Sequence, residues 1–458
     1  MRPLTLAALA LASFAAPIAA QTSAPVRPFG TLREQAARQQ QWLEQRLTTV
    51  LPALMRKHGV QAWVVPMREY NEDPVFTSLV SPTTFAARRR TIYVFVDRGG
   101  DKGVERLALG GNSQGGLYTA VRSQVQVRTG GPSTGGTAEL WGDQQWLVLK
   151  QVLEERNPAK VHLNISRTFA FADGLTAGEL EGMSAMLGPE WTKRFVRTDA
   201  LAVDLIATRL PDEAAFYRQL NELTWQVVRE MFSGNVIVPG VTRTSDLVWF
   251  FRQRVNDLGL GTWFQPSVDV QRMGVSAAQL GDDPVIQRGD VLHCDVGITA
   301  LRLNTDTQHL AYVLREGETE APAGLTAALK VANRTQDILM GEIRPGRTGN
   351  AILQATRAQM AREGIDGTIY SHPIGMHGHG AGALIGLWDY QDGVPGRGDH
   401  PVIADMWYSI ELQATSAVPE WGGQPVRMAQ EEDMIIGSDG IPRWAFARQD
   451  ALILVAPK

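Results

Sequence analysis

Residues 289–314 read GDVLHCDVGITALRLNTDTQHLAYVL and place two carboxylates, Asp295 and Asp306, inside runs that are otherwise apolar and strand-like. Successive side chains on a strand point to opposite faces, so a carboxylate in such a run is aimed either at solvent or into a core. In a core it is costly unless a cation answers it. No Lys or Arg lies between Leu303 and Leu314, and Arg302 falls where the chain should turn. Two readings stay open: a metal-binding pair, or one capping Asp beside a solvated one.

The same anomaly recurs downstream. Glu411 is the single charge in Tyr408-Ser409-Ile410-Glu411-Leu412, His372 sits in Tyr370-Ser371-His372-Pro373-Ile374-Gly375, and Glu431 comes before Met434-Ile435-Ile436. Two Asp, one His and two Glu make a hard, oxygen-rich donor set suited to divalent Mn, Co, Fe or Zn, and unlike a thiolate-type structural zinc site. Four carboxylates carry four negative charges, which two divalent ions balance, so two ions are expected rather than one. Glu432 and Asp433 are read as solvated, with a one-residue slip that would make Glu432 the ligand as the alternative. His293 alternates in phase with Asp295 and is read as a packed core or interface histidine, with a place behind the ligands as the alternative. His309 is assigned no role. Cys294, the only cysteine, is expected to face a core and leaves no intramolecular disulfide.

At 458 residues, 44% apolar and 20% charged, the chain has the length and composition of a soluble globular protein of two to three domains. Its net charge of −4 argues against nucleic acid as a partner, and Arg88-Arg89-Arg90 reads as a solvated face. Residues 1–20 read as a signal peptide: one basic residue, a short Ala/Leu-rich apolar run, then Ile18-Ala19-Ala20 before Gln21. That run is too short for a membrane span, so export to a periplasm-like space or the medium is expected.

Residues 21–210 alternate helical stretches (28–51 and 144–155) with short strands (62–66, 91–96, 106–109 and 160–165) and glycine-rich connections such as 110–112 and 130–136, which reads as an α/β domain. Pro211 with Asp212 and Glu213 is a helix start, and Phe216, Leu220, Leu223, Val227 and Met231 give that helix an apolar stripe. A second domain is therefore expected over 211–458. It carries a candidate repeat: Pro239-Gly240-Val241-Thr242 and Pro345-Gly346-Arg347-Thr348 each open a helical stretch that closes on glycine and leads into strands. Two α/β halves about a pseudo-twofold axis would bring ligands to a shared centre.

Asp295 and Asp306 with ten residues between them, His372 followed seven residues later by His379, then Glu411 and Glu431, resemble the pita-bread metallopeptidase family. The resemblance is closest to aminopeptidase P and prolidase, the Xaa-Pro peptidases with a creatinase-type N-terminal domain. It implies an α/β (α+β) architecture, creatinase-like domain first and pita-bread domain second. It also implies that Asp295 holds one metal, that Asp306 and Glu431 bridge two, and that His372 and Glu411 hold the other. Mn²⁺ is the first expectation, with Co²⁺, Zn²⁺ or Fe²⁺ as alternatives. A metal-bridging hydroxide would be the nucleophile, Glu411 the general base and then acid, and His379 the group bound to the substrate carbonyl. His377 is the alternative to His379, and Arg427 is a nearby substrate-binding candidate.

The implied reaction is hydrolysis of Xaa-Pro bonds at peptide N-termini or in dipeptides, by a dimer or tetramer. Relatives usually carry a His at position 278 and many an Arg at 429, both Ala here. Those departures keep two rivals open: a metal-dependent hydrolase of another amide or small molecule, and a non-catalytic binding protein on the same fold. Residues 386–396, between His372 and Glu411, read as a pocket-wall loop.

Overall fold

A computed structural model describes residues 27–121 and 142–456. The expected signal peptide at 1–20 and the connection at 130–136 lie outside the described residues. Six strands, β1 Ala62–Arg68, β2 Arg90–Asp97, β3 Val104–Leu109, β4 Thr119–Val121, β5 Val161–Asn164 and β6 Phe195–Thr198, form the mixed sheet of the N-terminal domain in the order β4-β3-β2-β1-β5-β6. Its central strands are apolar on both faces because both faces are covered. Trp63, Val65 and Met67 pack with Leu47, Leu51 and Met55, while Ala62 and Val64 pack with Trp146, Leu149 and Leu153. The first helical region runs over 32–57, further than the expected 28–51, through a π-turn at Arg46–Val50. Arg46 on that turn is buried and pairs with Glu213 at 2.8 Å, which ties the region to the helix Pro211–Met231.

The C-terminal domain contains β7 Ser267–Gln271, β8 Val291–Val296, β9 Thr299–Ala300, β10 Leu303–Asn304, β11 Thr307–Val313, β12 Asp366–Ile369, β13 His372–Ile374, β14 Met406–Val418, β15 Gln424–Ile436, β16 Pro442–Trp444 and β17 Ile453–Val455. Nine of them form one sheet along the path β12-β14-β15-β11-β8-β7, with β13, β16 and β17 pairing onto β14, β15 and β11. Alternation assigns its faces. Leu292, Cys294 and Val296 of β8 pack against Phe216 and Leu220 of the helix Pro211–Met231 and Leu247 and Phe251 of the helix Thr244–Asp257. Ile410 and Leu412 of β14 pack against Leu339, Ile352 and Leu353 of the helices Ala323–Glu342 and Gly349–Arg362. The odd-numbered neighbours, Asp295 and Glu411, are thereby turned to the face that these helices leave. The paired elements of the candidate repeat are present: Gly240 and Gly346 adopt φ of 82° and 89° ahead of two 14-residue helices. Among the described residues no helix is long and apolar enough to cross a membrane.

Between β9 and β10 the chain turns through Leu301 and Arg302, both left-handed at φ 50° and 64°. Positive φ at both central residues is the geometry of a tight hairpin, and without glycine it is strained. Arg302 offsets that cost: its Nη1 donates to the carbonyl oxygens of Thr77 and Val80, each at 3.0 Å, and its Nη2 to that of Ser81 at 3.2 Å. The N-terminal domain thus grips the turn that delivers Asp306. Arg302→Ala is expected to cost about 2 kcal/mol, the scale of losing hydrogen bonds to a charged donor. Arg302→Gly, which loses the same bonds but relaxes the turn, should cost less. Thermal midpoints of the two variants check this ordering, and a wild-type midpoint for Arg302→Ala would refute the grip.

Candidate metal centre

The strand ladder writes the site as a row. Gln308 of β11 is paired with Asp295 of β8 on one side and Glu431 of β15 on the other, and Glu431 is paired with Glu411 of β14. Directly opposite residues share a face, so Asp295, Gln308, Glu431 and Glu411 line up across four strands. His372 of β13 lies opposite Ser409, two residues before Glu411, and Asp306 immediately precedes β11. His372 Nε2 is 3.6 Å from Asp306 Oδ2, 3.7 Å from Glu411 Oε2 and 3.4 Å from Glu431 Oε1. Donor atoms of Asp295, Asp306 and Glu431 lie within 4.8 Å of one another, as do those of His372, Glu411 and Glu431. The fold therefore brings together all five residues expected from the sequence.

Among the described residues no Lys or Arg pairs with these carboxylates. Burial, and then repulsion from Glu431, pushes Asp295, Asp306 and Glu411 above the ordinary carboxylate range. Burial raises Glu431 too, against the pull of hydrogen bonds from Ser409 and Gln308. Burial lowers His372 to about 4, so its imidazole is neutral. Its Nδ1 faces the Pro373 carbonyl at 3.1 Å, an arrangement that puts the proton on Nδ1 and leaves a lone pair on Nε2. That lone pair points at carboxylate oxygens, and His372 Nε2, Asp295 Oδ1 and Asp306 Oδ1 are all buried without a hydrogen-bond partner. Converging lone pairs with no donor among them fit a divalent cation, and the oxygen and imidazole set suits Mn, Co, Zn or Fe.

His379 sits at the open side of the centre. Its ring is 4.7 Å from that of His372 and 5.3 Å from that of Trp263, and it shares a 4.8 Å cluster with Asp306 and His372. His377 packs instead on Phe171 of the N-terminal domain at 4.8 Å. Gly378 separates the two because a Cβ there would lie 2.3 Å from the Trp263 ring. Arg427 lies four residues before Glu431 on the same strand face, contacts Gln413 at 3.3 Å and Asp269 at 4.0 Å, and stands at the rim. It lines a cavity of about 530 Å³ with Asp269, His293 and Leu280.

Two expectations are corrected. Glu432 and Asp433 are not solvated: each is 1% exposed, because β15 is an interior strand covered on both faces. Glu432 points to the back of the sheet, where it meets His309 at 3.1 Å and Trp225 Nε1 at 3.2 Å, so His309 does have a partner. His293 is not a purely packed core residue, since its Nε2 lies 2.9 Å from Gln308 Oε1. Gln308 and Ser409 were missed altogether. Gln308 donates to Glu411 and Glu431, and Ser409 donates to Glu431 at 2.5 Å. Both are uncharged, and the one signal available was their alternation in phase with the ligands.

The architecture is a creatinase-like α/β domain followed by a pita-bread domain, with a carboxylate and histidine cluster that could hold metal ions. Residues 215–437 match the model of metallopeptidase family M24. No curated protein sequence matches the chain. Among solved structures, an X-Pro aminopeptidase from Thermotoga maritima is similar with a TM-score of 0.59 at 16% identity, over 88% of this chain and 100% of that one. An Xaa-Pro dipeptidase from Bacillus anthracis gives 0.56 at 16% identity, over 92% and 100%. The N-terminal domain of FACT complex subunit SPT16 from Cicer arietinum gives 0.58 at 12% identity, over 91% and 99%. At such identities the likeness is one of fold.

The raised carboxylates set the pH dependence. A carboxyl group whose folded pKa lies above its unfolded value, about 4, binds more protons folded than unfolded. Its contribution to the stability of the metal-free protein therefore falls as pH rises through that interval. Divalent ions replace those protons, so the rise in thermal midpoint on adding Mn²⁺ to chelator-treated protein is expected to be larger at pH 8 than at pH 5. An equal rise at both pH values would sink this account.

Proposed function

We propose that this chain is a two-ion metallopeptidase that hydrolyses Xaa-Pro bonds, with dipeptides as its preferred substrates. The observation that carries the reading is the row of converging carboxylate oxygens around a neutral imidazole lone pair. The fold likeness to an X-Pro aminopeptidase and an Xaa-Pro dipeptidase supports it. Asp295 would hold one ion, Asp306 and Glu431 both, and His372 and Glu411 the second. Two divalent ions so held would supply Lewis acidity and a water activated near neutral pH. We propose Mn²⁺ as the native ion, export as the destination, and a homo-oligomer as the assembly.

The protein's own groups supply the proton chemistry. Glu411 has one oxygen held by Gln308 at 2.8 Å and a pKa raised by burial and by Glu431, which suits a carboxyl that takes a proton from the attacking water and passes it to the leaving nitrogen. The prolyl nitrogen, like any amide nitrogen, leaves as an amine only once it is protonated, and Glu411 would deliver that proton. Burial lowers His379 to about 4; its neutral N–H can then bind the substrate carbonyl and the charge that develops there.

Arg397 favours dipeptides. Its guanidinium is partly buried close to Tyr370, and burial lowers its pKa. Nη2 reaches the Gly380 carbonyl at 3.2 Å, Nε is buried without a partner, and no carboxylate among the described residues pairs with it. An unanswered cation beside the centre suits the free C-terminal carboxylate of a short substrate.

With Mn²⁺ present, Xaa-Pro dipeptides should turn over well ahead of Xaa-Ala dipeptides; equal or absent turnover of the proline set would favour the rival amide hydrolase. Assayed at Mn²⁺ concentrations that saturate the variant, Glu411→Gln is expected to lower kcat by about 10²–10⁴, and activity within severalfold of wild type would remove Glu411 from the proton path. Arg397→Ala should raise KM about tenfold or more for a prolyl dipeptide, the scale of losing a charge-assisted bond, and leave KM for its C-terminal amide unchanged. The fold likeness to the FACT subunit sustains the non-catalytic alternative, which less than one equivalent of bound Mn²⁺ at saturation would favour.

A further inference from the structure

Glu411 and Glu431 come from different strands, and one neutral side chain holds them both. Gln308 Nε2 donates to Glu411 Oε1 at 2.8 Å and to Glu431 Oε2 at 2.9 Å. The two oxygens it leaves free, Glu411 Oε2 and Glu431 Oε1, are the ones that face His372 Nε2 at 3.7 and 3.4 Å. Gln308 thus decides which Glu411 oxygen is turned towards the imidazole lone pair, and it shares the Glu431 carboxylate with Ser409, whose hydroxyl donates to Glu431 Oε1 at 2.5 Å.

An amide does this in one orientation. Its NH₂ end has two donors and its oxygen end none, so a flipped Gln308 would press an oxygen against two carboxylates. What faces its oxygen is His293 Nε2, at 2.9 Å. With its N–H there, His293 donates to the amide oxygen and opposes the flipped NH₂ end. Beyond it, His293 Nδ1 lies 3.4 Å from Asp269 Oδ2, on the edge strand β7, where Asp269 is paired directly with His293. Gln308 and His293 are 4% and 7% exposed, so neither amide end has water as a substitute partner.

We propose that Gln308, oriented by His293, is a positioning residue that presets the Glu411 and Glu431 oxygens for the ion shared with His372. The proposal rests on the two-ion reading above and deepens it. Partners of this kind typically change metal affinity by about 10–100-fold when removed.

The test is a calorimetric titration of chelator-treated protein with Mn²⁺, alongside the thermal midpoint of the metal-free form. Gln308→Met keeps side-chain length without donors; it should fold and bind one Mn²⁺ about 10–100-fold more weakly than wild type. His293→Leu should give part of that loss. His293→Gln, whose amide nitrogen occupies the place of Nε2, should recover it. Because the two residues act in series, Gln308→Met with His293→Leu should bind no more weakly than Gln308→Met alone. Wild-type affinity in Gln308→Met, or full additivity in the double variant, overturns the proposal. If Gln308→Met does not fold, the His293 pair decides: loss in Leu with recovery in Gln supports the relay, and equal affinities overturn it. Wild-type protein that binds one ion at most counts against the two-ion reading, whereas two ions unaffected by these variants count against the relay alone.

Discussion

Three carboxylates on one face of one sheet, with Asp306 just before β11 as a fourth, repel each other, and the rest of the C-terminal domain is built to tolerate that. Two unit charges 4 Å apart at an effective dielectric near 20 interact by about 4 kcal/mol. A whole domain is stable by roughly 5–15 kcal/mol. A few unanswered pairs would consume that margin, so the groups must either hold protons or share cations. The raised carboxyl groups and the neutral imidazole of His372 show the first condition in the metal-free arrangement. The unpartnered lone pairs of Asp295, Asp306 and His372 fit the second.

Holding such a row requires a register that cannot slip. β11 and β15 are paired at a single position, Gln308 with Glu431, and a slip of one residue would turn Glu431 to the back and Glu432 to the front. The back of the sheet prevents it. Glu432 is taken there by His309 at 3.1 Å, by Trp225 Nε1 at 3.2 Å and by the Gln449 backbone N–H at 3.0 Å. On the front, Asp433 accepts the Asp306 N–H at 3.2 Å. Three consecutive acids in one strand are thus kept apart by different partners, and the choice of Glu431 over Glu432 at the centre is made by groups that never touch it.

Much of this was legible before any coordinates. The isolated charges at Asp295 and Glu411 stood out because β8 and β14 are otherwise apolar and alternate cleanly, and the helix starting at Pro211 carried its own start signals. The fates of Glu432 and Asp433 were not legible, because a run of acids looks like a solvated face unless the strand is known to lie inside a sheet with both faces covered. Gln308 escaped because buried uncharged polar residues break no pattern of charge. Arg397 opens a single 3₁₀ turn, Arg397–Asp399, within a long connection, where no periodicity reports which way a side chain points. The grip of Arg302 on Thr77, Val80 and Ser81 joins residues over two hundred positions apart, and local sequence carries no trace of such a contact.

Chemistry and selectivity consequently rest on different parts of the fold. The candidate ligands sit in ladder positions whose spacing is set by backbone pairing, the most rigid support a site can have. The charge offered to substrate does not. Ala429 occupies the same strand face between Glu431 and Arg427, so the nearest arginine on β15 is displaced by two pleats, roughly 13 Å along the strand, and is engaged by Gln413 and Asp269 at the rim. The cation near the centre comes instead from Arg397, in a loop pinned by Asn350, whose side chain accepts the Val394 N–H at 2.7 Å and donates to Asp399 at 2.8 Å. Connecting loops tolerate change far better than sheet ladders. If Arg397 is the charge that meets a substrate carboxylate, as proposed, what the site accepts can change in the connection while the row of Asp295, Gln308, Glu431 and Glu411 stays fixed by its ladder.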